Sequence, residues 1–178
     1  MCSSDLGRIP LTGNQVTTLG FVVNVIAAVL VYREAFIAGG LVFLLGSVLD
    51  IFDGAVARAR GEAGPRGAMF DSVLDRISEA VMFGAIALVF ARDDEKLALL
   101  AVIAALTGSL LTSYIRARAE ALGLDGTHGL MARAERVVLI AASLLFAPLG
   151  ALPWGIILLA ILSAITVAQR ARHVMRQL

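Results

Sequence analysis

Between Arg136 and Arg170 the chain carries no charged side chain for 33 consecutive residues. The hydrocarbon core of a bilayer is crossed by about 20 apolar residues in a helix, with a range of about 17–25. The run is too long for one crossing, and Pro148, Gly150 and Pro153 break it in the middle, so it reads as two spans. Four more stretches have the same character. Ile9–Tyr32 is uncharged, with its helix starting near Gln15; Ala35–Ala57 is interrupted only by Asp50 and Asp53. Gly67–Ala91 carries its charges in its first half, and Leu97–Ile115 is followed by a polar helical extension to Ala121. Of the 178 residues, 59% are hydrophobic and 16% charged, against about 25% charged in an average soluble domain. One soluble domain of this size could not hide so much apolar surface. The expected fold is an all-α integral membrane protein, a single domain over 1–178 with six transmembrane helices. Helices close their backbone hydrogen bonds internally, as a hydrocarbon solvent requires.

The basic residues orient that topology. With the N-terminus inside, the inner segments hold Arg8, Arg58, Arg60, Arg66, Arg76, Arg116, Arg118, Arg133, Arg136, Arg170, Arg172 and Arg176. The outer loops hold only Arg33, Arg92 and Lys96, so 12 of 15 basic residues lie inside. Both termini are expected in the cytoplasm, with the first span retained, because no small-residue cleavage site precedes Arg33. Net charge is +1, from 15 Lys and Arg against 14 Asp and Glu. A nucleic-acid polymer is therefore not an expected partner, since duplex binding needs a basic excess. The one cysteine, Cys2, cannot form an internal disulfide.

Four carboxylates conflict with an apolar surrounding. Asp50 and Asp53 end the second span, and Asp71 and Asp75 begin the third. An ionisable group inside a span costs about 2.5–3.5 kcal/mol on insertion scales and marks function by default. Spacings of three and four put each pair on one helix face. The two faces meet if the segment Arg58–Arg66 reverses the chain. Carboxylates so close stay ionised only when cations neutralise them. With no His or Cys nearby the ligands are hard oxygens, which select Mg²⁺ or Mn²⁺, or Ca²⁺, over zinc and copper. Two other readings exist. The acids could pair with Arg58, Arg66 and Arg76 as salt bridges, or line the path of a divalent cation transporter. Transport sites, however, lie near the midplane in broken helices, and these acids sit at the inner ends of apparently continuous ones. Nearby, Gly54 and Ala57 would let a ligand approach the backbone. Arg58 could form charge-assisted bonds to a phosphate, and Gly61, Gly64, Pro65 and Gly67 make a breaker-rich turn.

Together these residues spell Asp50-x2-Asp53-Gly54-x2-Ala57-Arg58-x8-Gly67-x3-Asp71-x3-Asp75. The stretch DIFDGAVARARGEAGPRGAMFDSVLD thereby resembles the signature of the CDP-alcohol phosphotransferases at all eight fixed positions. The resemblance implies transfer of a phosphoalcohol from a cytidine diphosphate carrier to an alcohol, with release of CMP. It implies that Asp50, Asp53, Asp71 and Asp75 hold two divalent cations, Mg²⁺ or Mn²⁺, and that Asp75 is also the general base. Gly54, Arg58 and the small positions Ala57 and Gly67 would face the nucleotide, together with Asp50 and Asp53. Leu11-Thr12-Gly13-Asn14-Gln15-Val16-Thr17 resembles the L-T-P-N-x-[VI]-T segment of lipid-synthesising members, which adds Gly13, Asn14 and Thr17 to the nucleotide site. Gly13 stands where that segment has proline, which is expected to loosen the turn. For Asn14 and Thr17, helix capping is the competing reading.

The acceptor is expected among the arginines. Arg116 and Arg118 follow the fourth span, and Arg133 and Arg136, three apart, open the fifth on one face. Guanidinium matches phosphate bidentately, although positive-inside charge alone would also place arginines here. SYIRARAEALG and ARAERVVL resemble the inositol phosphate-using branch of the family, which implies transfer of a phosphatidyl group from CDP-diacylglycerol to inositol phosphate. Glycerol 3-phosphate, also a phosphate monoester, is the alternative acceptor. The resemblance further implies an inner-membrane homodimer. His128 could touch the acceptor or stand solvated in its loop. His173 belongs to a basic tail suited to anionic lipid heads, and Trp154 suits an interfacial anchor. Gly39, Gly40 and Gly46 permit close helix packing.

Overall fold

The computed structural model describes residues 12–59, 61 and 64–178, with the side chains of Ile51 and Asp53 outside that description. Leu11, Arg8, Arg60 and Cys2 also lie outside it. The described residues form six α-helices and no strand. They are α1 (Gly13–Tyr32), α2 (Phe36–Ala59), α3 (Pro65–Arg92), α4 (Lys96–Ala121), α5 (Arg133–Leu145) and α6 (Ala151–Met175). A short 3₁₀ turn, Ala147–Leu149, joins α5 to α6. Four helices, α1, α2, α4 and α6, are long and apolar enough to cross a membrane. In α3 the acids and arginines of its first half lower the hydropathy. The 13 residues of α5 reach roughly 20 Å, short of a hydrocarbon core of about 30 Å. The chain divides into two compact units, Met1–Ala85 and Ile86–Leu178.

In the first unit α1 and α2 pack along a stripe of small residues. Gly13, Thr17, Gly20, Asn24, Ala27, Ala28 and Val31 recur at three- and four-residue steps on the buried face of α1. A Cβ at Gly39 would stand 3.2 Å from the Ala27 carbonyl oxygen, and one at Gly46 would stand 2.8 Å from Asn24 Cγ. A Cβ at Gly20 would collide with Asp50 Oδ1. The expected packing role of Gly39 and Gly46 is thus seen, and Gly20 joins them. The helices are linked by a reversal in which Glu34 adopts φ 62° and the Ala35 amide bonds the Leu30 carbonyl at 2.9 Å. This is the six-to-one bond of a Schellman end. Asp94 (φ 55°) and the Glu95 amide on the Phe90 carbonyl, 2.9 Å, repeat it after α3.

The first helix begins at Gly13, two residues before the expected Gln15, because Thr12 caps it. The Gln15 amide donates to Thr12 Oγ1 at 3.3 Å, and the Thr12 amide donates to Gln15 Oε1 at 2.8 Å. This capping box holds the turn that the Gly13-for-proline exchange was expected to loosen.

In the second unit α6 packs on α4 and α5. A Cβ at Gly108 would stand 2.7 Å from Ser163 Cβ, and one at Gly155 the same distance from Ser143 Cβ. Two threonine hydroxyls in these apolar helices return to their own backbone: Thr112 Oγ1 donates to the Gly108 carbonyl at 2.7 Å and Thr166 Oγ1 to Leu162 at 2.7 Å. That satisfies each donor without a solvent partner. Trp154, near the start of α6, is 73% exposed.

Candidate active site

A cavity of about 470 Å³ opens where the start of α1, the end of α2 and the start of α3 meet. Its size suits a small-molecule headgroup. Gly13, Asn14 and Thr17 line it from α1, Gly54, Ala57 and Arg58 from α2, and Gly67 and Asp71 from α3. Five of the eight signature positions therefore face one space. Helical spacing explains the grouping, since 54, 57 and 58 share one face of α2, and 67 and 71 share one face of α3. Thr12, Gly64 and Ala68 also line it and were not among the residues expected at the nucleotide. Gly64 and Ala68 were legible as small residues three or four steps from Gly67 and Asp71. Neither Asn14 nor Thr17 caps α1. Thr12 does that, while Thr17 Oγ1 donates to the Gly13 carbonyl at 3.1 Å.

The polar groups of this region are held at its edges. Arg58 is exposed, and a Cβ at Gly54 would stand 3.3 Å from its Nη1. The guanidinium thus lies over a residue with no side chain, at the cavity wall. Asn14 Oδ1 reaches within 3.4 Å of where a Gly67 Cβ would be. Asp50 is 9% exposed and seated on Gly20. Asp71 lines the cavity, with its Oδ1 screened from solvent. Asp75 is half-buried one turn further along α3; neither it nor Asp50 lines the cavity itself. The Asp53 side chain lies outside the described residues, although its backbone continues α2. Among the described residues, no three His, Cys, Asp or Glu side chains are grouped closely enough to hold a metal ion. Both α2 and α3 run unbroken through their aspartates, unlike the interrupted helices of transport sites.

The arginines of the second unit divide. Arg136 is 3% exposed, and its Nη1 donates to the Met131 carbonyl at 3.4 Å. Arg133, half-buried, opens α5 one turn earlier. Arg116 is exposed and pairs with Glu120 at 2.8 Å. Arg118, two residues on, points to a different side of α4, because i and i+2 do not share a face. Of the four expected arginines, Arg116 and Arg118 are thus exposed on α4, and Arg133 and Arg136 stand at the start of α5. A residue counted from sequence only as inside-facing charge joins the buried set: Arg170, 4% exposed. Its guanidinium donates to the carbonyls of Thr112 at 2.9 Å, His128 at 2.8 Å and Thr127 at 3.2 Å. The charges of Arg116 and Arg136 both act on it. His128 stacks on His173, with ring centroids 4.7 Å apart and 20° between planes.

The CDP-alcohol phosphatidyltransferase profile matches residues 11–169, and the chain belongs to that family. It is 36% identical to the archaetidylinositol phosphate synthase of Pyrococcus horikoshii over 97% of this chain and 88% of that one. To the phosphatidylinositol phosphate synthase of Mycobacteroides abscessus it is 33% identical, over 97% and 81%. Among solved structures, the phosphatidylinositol phosphate synthase of Mycobacterium tuberculosis with CDP-DAG bound superposes with a TM-score of 0.89. The identity is 33%, over 97% of this chain and 90% of that one. The same enzyme in complex with manganese and citrate gives 0.89 at 35% identity, over 97% and 87%.

Proposed function

We propose that this protein is a phosphatidylinositol phosphate synthase. It moves the phosphatidyl group of CDP-diacylglycerol onto a hydroxyl of inositol phosphate and releases CMP. One observation carries the reading: five of the eight signature residues, with Gly13, Asn14 and Thr17, line a single cavity at the ends of three helices. The relatives named above differ in their lipid, archaetidyl or phosphatidyl, and share inositol phosphate in their names. That favours inositol phosphate over glycerol 3-phosphate.

The residues account for the chemistry. Asp50, Asp53, Asp71 and Asp75 are hard oxygen donors, two of them seated at buried edges, and they would hold two ions of Mg²⁺ or Mn²⁺. When bound, the ions neutralise the diphosphate and stabilise charge on the transferred phosphoryl and the leaving CMP. The glycines and Ala57 let the nucleotide approach backbone. Arg58 donates to a phosphate oxygen. Asp75 takes the proton of the attacking hydroxyl as that oxygen bonds to phosphorus. The phosphorus–oxygen bond to CMP breaks, and CMP keeps the electron pair. Arg133 and Arg136 meet the acceptor phosphate, with Arg116 and Arg118 on the neighbouring helix. The donor's acyl chains stay in the bilayer. The same reading places six spans in the inner membrane, α3 and α5 completing the four apolar ones, with both termini cytoplasmic, the site at the inner ends of α2 and α3, and two copies per assembly.

The test is CMP release from CDP-diacylglycerol by purified protein with Mn²⁺ or Mg²⁺, over a panel of inositol phosphate, free inositol and glycerol 3-phosphate. Release with inositol phosphate alone is expected. Release driven by glycerol 3-phosphate would move the protein to the alternative, and none with any acceptor would remove the enzyme reading.

A further inference from the structure

The connection between α4 and α5 is tied to the C-terminal turns of α6 from Asp125 to Met131. The Asp125 amide donates to Gln177 Oε1 at 2.9 Å, and Gln177 Nε2 donates back to the Asp125 carbonyl at 2.9 Å. Asp125 Oδ2 stands 3.6 Å from His173 Nε2, while its Oδ1 accepts from the Thr127 amide and hydroxyl at 2.9 and 2.7 Å. His128 stacks on His173. The Leu130 amide donates to Gln169 Oε1 at 3.2 Å, and the Met131 amide to Thr166 Oγ1 at 3.1 Å. A surface loop with only a solubilising role needs no such series of bonds.

The same loop touches two arginines. A Cβ at Gly126 would stand 2.8 Å from Arg116 Cα, so the loop lies directly on the Arg116 backbone. The Met131 carbonyl, two residues before the start of α5, accepts from Arg136 Nη1. From these juxtapositions we infer that Asp125, His173 and Gln177 form a clamp that positions the loop, and through it Arg116 and Arg136, for the phosphorylated acceptor. These three are positioning residues; none of them touches substrate in this account. The inference rests on the acceptor reading above. It predicts where selectivity for the acceptor is lost without harm to donor chemistry. A guanidinium pair must stand in one geometry to grip phosphate bidentately. The clamp supplies that geometry from polar contacts at the C-terminal end of α6.

The experiment compares wild type with His173→Ala, His173→Gln and Gln177→Ala, each purified in detergent and checked for unchanged helical content. Steady-state CMP release is measured against inositol phosphate and, separately, against CDP-diacylglycerol. Amide hydrogen exchange is followed at Asp125–Met131. The expected result is an acceptor KM raised about fivefold per variant, the size of one lost net hydrogen bond. Donor KM and kcat stay within about twofold, exchange at Thr127–Met131 quickens, and His173→Gln is milder than His173→Ala. Faster exchange with an unchanged acceptor KM would overturn the positioning role and leave a structural tie. Unchanged exchange would overturn the clamp itself. A rise in donor and acceptor KM together would overturn its selectivity for the acceptor. A wild type that releases CMP with no phosphorylated acceptor would remove the reading on which the inference rests, and the inference with it; that arm is read before any variant.

Discussion

At the scale of single residues, Gly20 and Asp75 are the most informative. Gly20 leaves room on α1 for the Asp50 carboxylate, since an added Cβ would strike Asp50 Oδ1 and stand 3.3 Å from the Gly46 carbonyl oxygen. Gly20→Ala must shift Asp50 or separate α1 from α2. The expected cost is about 1–3 kcal/mol for overpacking, read as a lower unfolding temperature in detergent. Weaker Mn²⁺ binding, read by electron paramagnetic resonance, should accompany it. An unchanged Mn²⁺ titration would detach Gly20 from the metal residues. Asp75 carries a different prediction. Asp75→Asn keeps the shape and loses both the base and one metal ligand, so turnover should fall by at least about 10²–10⁴-fold while CDP binding, followed by calorimetry, weakens far less. Full turnover in that variant would remove the general-base role.

At the scale of elements, local chemistry sets where helices start and which loops are firm. Thr12 and Gln15 close the first turn of α1 reciprocally. Thr12→Ala should cost about 1 kcal/mol, measured by denaturation in mixed micelles, and should weaken nucleotide binding because Thr12 also lines the cavity. The α4–α5 loop has a pH signature. Thr127, through its hydroxyl and then its amide, holds the Asp125 carboxyl below its ordinary value of 3.8, with a smaller contribution from the charge of His173. A carboxyl lowered in the folded state lends stability that is complete above the unfolded value and is lost as pH falls through the folded one. Exchange of the Thr127 amide, corrected for its intrinsic rate, should therefore quicken only as pH drops below 3.8. Thr127→Ala should move that onset upward. An onset in Thr127→Ala at or below that of the wild type would contradict it. Helix boundaries were legible from charge edges and from Pro148, Gly150 and Pro153, because breakers and charges act within a turn. The cap at Thr12 was missed because Asn14 and Thr17 offered equally good capping chemistry, and only backbone geometry separates them. The loop ties were not legible at all. Asp125 and Gln177 are 52 residues apart, and no periodicity records such a pair.

For the whole molecule, hydropathy and the aspartate spacing specify most of what matters: helices throughout, and a polar site built where apolar helices end. Four helices meet the length and hydropathy for crossing. Hydropathy alone does not assign α3, because the same acids that define the site dilute its apolar face, or α5, which ends after 13 residues. Grouping of Gly54, Ala57, Arg58, Gly67 and Asp71 about one cavity was foreseeable from spacing plus a chain reversal. The burial of Arg136 and Arg170, with Arg116 and Arg118 left exposed, was not, because it depends on how α4, α5 and α6 pack. The central claim is that Asp50, Asp53, Asp71 and Asp75 act as one two-metal site, and equilibrium Mn²⁺ binding to purified protein, with each aspartate changed in turn to asparagine, tests it most directly. Two ions per chain in the wild type, with at least one lost in every variant, is the result expected; undiminished binding in any of the four would contradict the claim.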